Sequence, residues 1–170
     1  MEKFCVILRT LYLVRHAYTP NTSSENDFDR AIKQEERAHI QNLSPSIKNC
    51  LKKIDTIYCS KAVRTKQTCE MFQPYFLKNP DIFYCDVLYS KKEIYSEIIW
   101  DLLREVPDSK EHVMVIGHNP GLTDFYNSLP IPNYEFIHFP TLGLATIQFV
   151  NTLWQEISSA SAVERHIYCA

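Results

Sequence analysis

Two histidines of this chain each follow an apolar run that has the length of a buried strand. His16, preceded by Arg15, follows the run at residues 11–14, and His118 follows a second run later in the chain. In an open α/β sheet, the carboxyl ends of the strands border the ligand crevice. We therefore expect the two histidines to face one pocket. Another arginine, Arg64, lies near the start of a helical pattern that follows a third apolar run.

These residue types suit the transfer of a phosphoryl group. The planar guanidinium of arginine binds phosphate oxygens in pairs and stays charged at any useful pH. A neutral imidazole is nucleophilic near pH 7 and forms a phosphoramidate that water can hydrolyse. The minimum set is two arginines, a nucleophilic histidine and a second histidine that is charged or hydrogen-bonding. It is supplied here by Arg15, Arg64, His16 and His118.

Metal binding is a rival use of the two histidines, because histidine is a common metal ligand. Such a site needs at least one further nitrogen, sulfur or carboxylate donor. The two nearby arginines repel a divalent cation. We therefore expect no metal and no other cofactor.

Three further side chains are candidates for substrate binding. Ser60 is the natural N-cap of the helical pattern that contains Arg64, and backbone N–H groups at that helix start could add to an anion site. Thr19 and Asn21 lie in the loop after His16 and can donate hydrogen bonds to phosphate. Both are also ordinary turn residues, and capping alone explains Ser60, so the sequence leaves these roles open.

Apolar runs alternate with helical patterns along the chain. Strands are predicted at residues 11–15, 56–59, 82–85, 112–117 and 144–150, with a weaker candidate at 154–157. Helices are predicted at residues 30–43, 61–76 and 92–106, and Pro120 suits the first turn of another helix. This alternation predicts an α/β fold in which βαβ units form a mostly parallel sheet.

The composition favours a single domain over residues 1–170. The chain is 45% hydrophobic with a net charge of −2, which allows one substantial core and excludes a broad basic field for nucleic acid. Its six cysteines have neither zinc nor disulfide spacing. The first eight residues lack the apolar segment of a leader, and no apolar run reaches the roughly 18 residues that span a membrane. We expect a cytoplasmic protein.

A second Arg-His dipeptide, Arg165-His166, follows no apolar run, and we expect it to be a solvated feature of the tail. The residues after position 151 either pack on the core or serve a partner. Trp154, Ile157 and Tyr168 suit both uses.

Five motifs follow one another along residues 10–150: Arg-His at 15–16, Asp-Phe-Asp-Arg at 27–30, Ser-Lys-Ala-Val-Arg at 60–64, Gly-His-Asn-Pro-Gly-Leu at 117–122 and Phe-Pro-Thr-Leu-Gly at 139–143. In these motifs the chain resembles the histidine phosphatase superfamily, and most of all its SixA-like phosphohistidine phosphatase branch. The resemblance implies a phosphoglycerate mutase-like fold, a three-layer αβα sandwich. It also implies that His16 is the phosphorylated nucleophile, that Arg15 and Arg64 clamp the phosphate, and that His118 stabilises the transferred charge.

The chain departs from the family pattern in two respects. Ala17 stands where the family has glycine, which excludes a backbone conformation that only glycine adopts, although alanine also occurs in SixA-like members. The broad family takes its general acid from a loop after the third strand. There this chain offers Glu93 and Glu97, at a predicted helix start where carboxylates are favourable for helix reasons alone. Neither is identified as a catalytic acid.

The absence of an identified acid bears on the substrate. An alkoxide leaving group needs a proton in the transition state, and the loss of that help costs about 10²- to 10⁴-fold in rate. The imidazole of phosphohistidine needs far less assistance. We therefore expect a phosphatase that acts on phosphohistidine in a signalling or phosphotransfer protein, with phosphate or another oxyanion in its site, and no nucleic-acid or membrane partner. The alternatives are hydrolysis of a small phosphate ester, such as a sugar phosphate, and phosphoprotein binding without turnover.

Overall fold

The computed structural model describes residues 8–20, 26–89, 95–132, 135–150 and 153–169. Within these ranges six strands form one sheet. The strands are β1 (Leu8–Arg15), β2 (Thr56–Ser60), β3 (Asp81–Cys85), β4 (His112–Gly117), β5 (Leu144–Val150) and β6 (Ala162–Tyr168). The helices are α1 (Gln34–Gln41), α2 (Pro45–Leu51), α3 (Val63–Phe72), α4 (Tyr95–Arg104) and α5 (Gly121–Ser128). In the described part of the chain, every helix is too short or too polar to cross a membrane.

The sheet is mostly parallel, as the sequence predicts. Its strand order is β3-β2-β4-β1-β5-β6, in which β1 to β4 pair in parallel while β5 and β6 pair antiparallel. Arg15 at the end of β1 lies beside Gly117 at the end of β4, and Cys59 in β2 lies beside Ile116. The carboxyl ends of three neighbouring strands therefore meet at one edge of the sheet.

Helices cover both faces of the sheet. Leu11 and Leu13 of β1 belong to an apolar cluster with residues of α4 and α5. Tyr12 and Val14, which point to the opposite face, belong to a second cluster with residues of α1, α2 and α3. Because both faces are covered, the central strands are almost wholly buried. The α/β fold and its three-layer αβα arrangement are confirmed.

Three helices lie within their predicted ranges, and each is shorter than predicted. The helix predicted at 92–106 is described from Tyr95 onward, because residues 90–94 lie outside the described ranges. One helix, α2, was not predicted. Ser44 caps it by accepting a hydrogen bond from the Ile47 N–H at 3.4 Å, and Pro45 occupies its first turn. These start signals are visible in the sequence, but seven residues are too few to show a helical period.

The weaker strand predicted at residues 154–157 is wrong. Trp154–Glu156 forms a short 3-10 helix, and the last strand is β6. Trp154 is fully buried, its indole N–H donates to the Lys110 carbonyl oxygen, and the Arg9 guanidinium lies over its ring. A short apolar run does not separate a strand from a buried turn by periodicity. Trp154 and Ile157 pack on the core, which answers the question the sequence leaves open for them.

Arg165 is a buried residue rather than a solvated one. It lies in β6 with 3% of its surface exposed, and its guanidinium lies 4.5 Å from the centre of the Tyr126 ring. It also donates a hydrogen bond to the Tyr126 carbonyl oxygen. His166 is exposed, because neighbouring residues of a strand point to opposite faces. The planar guanidinium stacks on an aromatic ring more readily than other charged groups, which makes this burial favourable.

Tyr95 of α4 fits against two glycines that flank His118. A side-chain carbon added at Gly121 would lie 2.2–2.7 Å from atoms of the Tyr95 ring, and one added at Gly117 would lie 2.1 Å from its hydroxyl oxygen. That hydroxyl donates to the Leu88 carbonyl oxygen at 3.2 Å and accepts from the His118 N–H at 3.4 Å. The close approach of α4 therefore helps to fix the backbone of His118.

We expect Gly121→Ala to lower the free energy of unfolding by about 1–3 kcal/mol, because the buried Tyr95 ring must shift. Urea denaturation followed by circular dichroism measures the change. Asp124→Ala, at an exposed position of the same helix, is the control and should cost less than about 1 kcal/mol. If Gly121→Ala is as stable as the wild type, the ring is not held by this contact.

Candidate active site

The four residues that the sequence predicts to act together lie at one edge of the sheet. Arg15 ends β1, and the His16 N–H donates to the Gly117 carbonyl oxygen at 3.3 Å. His118 follows β4, and its ring centre lies 5.0 Å from that of His16. Arg64 lies in the first turn of α3 and reaches His16 with its side chain. Each group thus comes from a strand end or from the helix turn that follows one.

These side chains line a cavity of about 380 Å³. Three guanidinium groups, from Arg15, Arg30 and Arg64, border it together with both histidines and one carboxylate, that of Asp27. Among the described residues no group of three or more histidine, cysteine, aspartate or glutamate side chains could hold a metal ion. The donor set therefore suits an anion.

The tautomer of His16 follows from its hydrogen bonds. Its Nδ1 lies 2.7 Å from the Ala17 carbonyl oxygen, which can only accept, so Nδ1 carries the proton. Its Nε2 then has a free lone pair, which accepts a hydrogen bond from the Arg64 Nε–H at 3.2 Å. Burial, together with the neighbouring Arg64 and Arg15, lowers the pKa of His16 from 6.5 to about 4, although the bond to Ala17 opposes this shift. His16 is therefore neutral and has the lone pair of a nucleophile near pH 7.

Ala17 joins the nucleophile to helix α3. It is fully buried, and its N–H donates to the Thr68 hydroxyl oxygen at 3.1 Å. The Thr68 hydroxyl donates in turn to the Arg64 carbonyl oxygen at 2.7 Å. The backbone that orients His16 is thus fixed to the same helix turn that carries Arg64.

Asp27 holds two of the three arginines. Its carboxylate forms an ion pair with Arg64 at 3.2 Å and another with Arg30, while the backbone oxygen of Asp27 accepts a further bond from Arg64. The Tyr89 hydroxyl donates to the same carboxylate at 2.6 Å. This hydrogen bond and the two arginines hold the pKa of Asp27 well below its usual range, against an opposing contribution from burial. Asp27 is therefore a fixed anion that orients both guanidinium groups.

Arg15, at the end of β1, is held by the loop that precedes β5. One of its terminal nitrogens donates to the Phe139 carbonyl oxygen at 2.7 Å, and Asn119 donates to the same oxygen at 3.0 Å. Its buried Nε has no hydrogen-bond partner among the described residues. Burial lowers the pKa of Arg15, but an arginine stays charged near neutral pH.

The prediction that Ser60 caps helix α3 is wrong. The N-cap residue is Ala62, without a side-chain cap. Ser60 is instead the buried last residue of β2, and its Oγ lies 2.9 Å from Nε2 of His118. Ser60 Oγ accepts a bond from the Ala62 N–H at 3.4 Å, so its own proton is available for His118 Nε2. Burial and the neighbouring His16 and Arg64 lower the pKa of His118 well below its ordinary value, so His118 is neutral and hydrogen-bonding.

The remaining sequence candidates have different outcomes. Thr19 is buried and lines the cavity, and its role stays a prediction. Asn21 and Glu93 lie outside the described residues. Glu97 is exposed on α4 and does not line the cavity. The segment after β3 instead contributes Tyr89, whose ring lies edge-on to His118 with centres 5.4 Å apart.

Sequence reasoning assigned no role to Asp27, Arg30 or Tyr89, which all line the cavity. Asp27 and Arg30 belong to the Asp-Phe-Asp-Arg motif at 27–30, and this motif is the feature of the sequence that could have identified them as site residues. Tyr89 offered no signal, because a single tyrosine in a loop has no characteristic spacing.

Because the buried imidazole of His16 resists protonation, we expect the free energy of unfolding to fall as the pH is lowered from 6.5 to about 4. In this window the unfolded chain binds a proton at position 16 and the folded chain does not, so acid favours unfolding. Below the folded pKa both states bind it, and the slope from this group disappears. His16→Gln should reduce the total loss by about 3 kcal/mol. Urea unfolding across the window measures the slope, with His138→Gln, an exposed histidine, as control. Equal slopes in wild type and His16→Gln would contradict the assignment.

We expect Asp27→Asn to lower kcat for p-nitrophenyl phosphate by about 10²-fold, because Arg64 and Arg30 lose the anion that orients them. Inorganic phosphate should inhibit at least as strongly as before, since a negative charge leaves the cavity. Steady-state kinetics with phosphate as inhibitor separates the two effects. Asp27 and Asp29 lie in one short 3-10 helix, Asp27–Asp29. Asp29→Asn, at the exposed end of this helix, is the matched control and should change neither value. An unchanged kcat in Asp27→Asn would remove the positioning role.

A family model matches the part of the chain that contains the first three of the five motifs, and solved structures share the fold. Residues 11–79 match the family model of the histidine phosphatase superfamily (branch 1). No curated protein matches the chain in sequence.

Three solved structures resemble between 81% and 95% of this chain. A SixA protein from Nakamurella multipartitia has a TM-score of 0.76 at 23% identity, covering 95% of this chain and 96% of that one. A SixA protein from Agrobacterium tumefaciens has a TM-score of 0.67 at 28% identity, covering 82% and 91%. The protein histidine phosphatase SixA complexed with tungstate has a TM-score of 0.65 at 18% identity, covering 81% and 86%.

A phosphoglycerate mutase from Plasmodium falciparum shares the fold with a TM-score of 0.57 at 18% identity, covering 84% of this chain and 83% of that one. The phosphoglycerate mutase-like fold is thereby confirmed. The sequence match at residues 11–79 and the fold shared with SixA proteins also confirm the resemblance of this chain to the histidine phosphatase superfamily.

Proposed function

We propose that this chain is a phosphatase that forms a phosphoryl intermediate on His16 and acts on phosphohistidine in a protein. The observation that carries the proposal is the hydrogen bond from His16 Nδ1 to the Ala17 carbonyl oxygen at 2.7 Å. This hydrogen bond fixes the proton on Nδ1, so Nε2 carries a lone pair, which faces the guanidinium of Arg64. A histidine that only bound an anion would present an N–H to it, whereas a nucleophile presents a lone pair.

In the first step, Nε2 of His16 attacks phosphorus and the bond from phosphorus to the leaving atom breaks. Arg15 and Arg64 bind the phosphoryl oxygens, which carry the charge in the transition state. The Nε–H of Arg64, which donates to His16 Nε2 in the free protein, becomes available to the phosphate. His118, with its ring centre 5.0 Å from that of His16, stabilises the transferred charge.

In the second step, water attacks the phosphorus of phospho-His16. The bond from phosphorus to Nε2 breaks, and its electron pair returns to Nε2 as the lone pair. Both protons of the water stay with the product, so inorganic phosphate leaves as dihydrogen phosphate. Because Nδ1–H stays bonded to the Ala17 carbonyl oxygen, the same tautomer is ready for the next cycle.

The chemistry of the cavity favours a leaving group that needs little protonation. Among the residues that the structure describes, the one carboxylate that lines the cavity is that of Asp27, and Tyr89, Arg30 and Arg64 hold its pKa well below its usual range. Such a group does not donate a proton near neutral pH. An alkoxide leaving group would lose about 10²- to 10⁴-fold in rate without a proton donor, whereas an imidazole loses far less. Phosphohistidine is therefore preferred over a sugar phosphate.

Among the solved neighbours, a protein histidine phosphatase SixA was obtained with tungstate. Tungstate is an oxyanion of the same shape as phosphate. An anion in the corresponding cavity of this chain would meet the guanidinium groups of Arg15, Arg30 and Arg64. This likeness supports the phosphate site of the proposal, and the substrate is inferred from the leaving-group argument.

We expect His16→Ala to lower phosphate release by more than about 10³-fold, because the substitution removes the lone pair proposed to take the phosphoryl group. The assay compares a chemically phosphorylated phosphohistidine protein with p-nitrophenyl phosphate in the presence of a chelator. It follows phosphate release together with an acid-labile phosphoryl label on the enzyme. His166→Ala, on the exposed face of β6, is the matched control and should retain full activity.

Three results would contradict parts of this proposal. Activity that survives in His16→Ala would remove the intermediate. Release from p-nitrophenyl phosphate alone would move the substrate to small phosphate esters. Stable binding of the phosphoprotein without release from either substrate would identify a binding module.

A further inference from the structure

A second groove of about 540 Å³ adjoins the proposed phosphate cavity. We name it the flanking groove, and it is lined by Tyr18, Glu36, His39, Asn42, Thr141 and Leu142. Tyr18 and Thr141 line the phosphate cavity as well, so the two depressions lie side by side and share a wall. A molecule longer than the phosphoryl group and its immediate leaving group can therefore extend from one into the other.

The flanking groove differs from the phosphate cavity in charge. The phosphate cavity is bordered by three guanidinium groups, whereas the flanking groove has neither arginine nor lysine among its lining residues and contains the carboxylate of Glu36. That side chain is 14% exposed, and Nδ1 of the exposed His39 lies 3.7 Å from one of its carboxylate oxygens. The two sites together therefore fit a ligand that carries an anion at one end and a cation farther along.

The floor of the groove is fixed to the backbone of the nucleophile. Leu142 has a positive φ of 56° and is almost fully buried, and its N–H donates to the His16 carbonyl oxygen at 3.4 Å. The next residue, Gly143, accepts a bond from the Arg15 N–H at 3.2 Å. A ligand that rests on this floor therefore lies at a defined distance from His16.

The wall shared by the two sites suits a polypeptide. Tyr18 is 47% exposed, and Lys33 lies near its ring with the ammonium 5.9 Å from the ring centre. An exposed aromatic ring gives contact area with little loss of conformational entropy. The groove thus combines an apolar surface at Tyr18 with a charge-selective position at Glu36.

We propose that the flanking groove binds the polypeptide next to the phosphohistidine of a protein substrate and prefers a segment with lysine or arginine that reaches Glu36. This inference rests on the proposed function, and it adds a preference for the residues next to the phosphohistidine of the substrate. A partly buried carboxylate discriminates between a cation and an anion mainly by repelling the anion. A small phosphate ester does not extend to the groove, so its turnover reports on the phosphate cavity alone.

The test uses synthetic peptides with a single histidine, phosphorylated with phosphoramidate, whose flanking positions are lysine in one peptide and glutamate in the other. For the wild type we expect kcat/KM to be about fivefold to tenfold higher with the lysine peptide. Glu36→Lys should reverse the preference. Because the ratio of the two peptides is the measured quantity, a general loss of activity in the variant does not affect it.

The matched control is Glu35→Lys, which makes the same charge change at the neighbouring exposed position of α1, outside the groove lining. It should keep the wild-type preference for the lysine peptide. A wild type without preference, or an equal effect of both substitutions, would overturn the groove assignment and leave the phosphatase proposal intact. Turnover of p-nitrophenyl phosphate without hydrolysis of either peptide would overturn the proposed substrate, and with it this inference.

Discussion

The parallel register between β1 and β4 is the constraint on which the site depends. Because Arg15 lies beside Gly117, the residues that follow the two strands leave the sheet at the same level. His16 and His118 are then held with ring centres 5.0 Å apart, although they are far apart in the chain. A shift of one residue in either strand would move one histidine to the other face of the sheet. The buried apolar faces of both strands oppose such a shift.

Burial and positive charge act together on the histidines. Taking an imidazole out of water disfavours its charged form, and nearby guanidinium groups disfavour it further. For His16 burial contributes most, and Arg64, Arg15 and Arg30 add to it. The arginines that are proposed to bind the phosphoryl group therefore also disfavour protonation of His16, the proposed nucleophile. One set of charges provides both functions.

Much of the fold could be predicted because its signals are local. Buried parallel strands appear as continuous apolar runs, and five of the predicted strands match strands of the structure. The sixth strand, β6, was missed because its exposed and buried residues alternate irregularly at a sheet edge. Arg165 was misjudged for a related reason. Its burial depends on the Tyr126 ring, which is distant in sequence and therefore invisible to a local pattern.

The same distinction applies to the site. Arg15, His16, Arg64 and His118 were predicted because each stands at a strand end or at the start of a helix. Ser60 was chosen as a helix cap, but its partner is His118, which only the sheet brings near. The contacts of Asp27 with Arg64 and Tyr89 likewise join segments that are separated in sequence. Local patterns therefore located the groups proposed to react but not the groups that orient them.

The charges around the cavity account for its choice of ligand. With both histidines neutral, three guanidinium groups and the carboxylate of Asp27 leave a net charge of two positive units. A phosphoryl dianion matches this charge. Asp27 thus has two consequences, because it orients Arg64 and Arg30 and also lowers the net positive charge of an otherwise tricationic cavity. A cavity with greater positive charge would bind inorganic phosphate more strongly and would release the product more slowly.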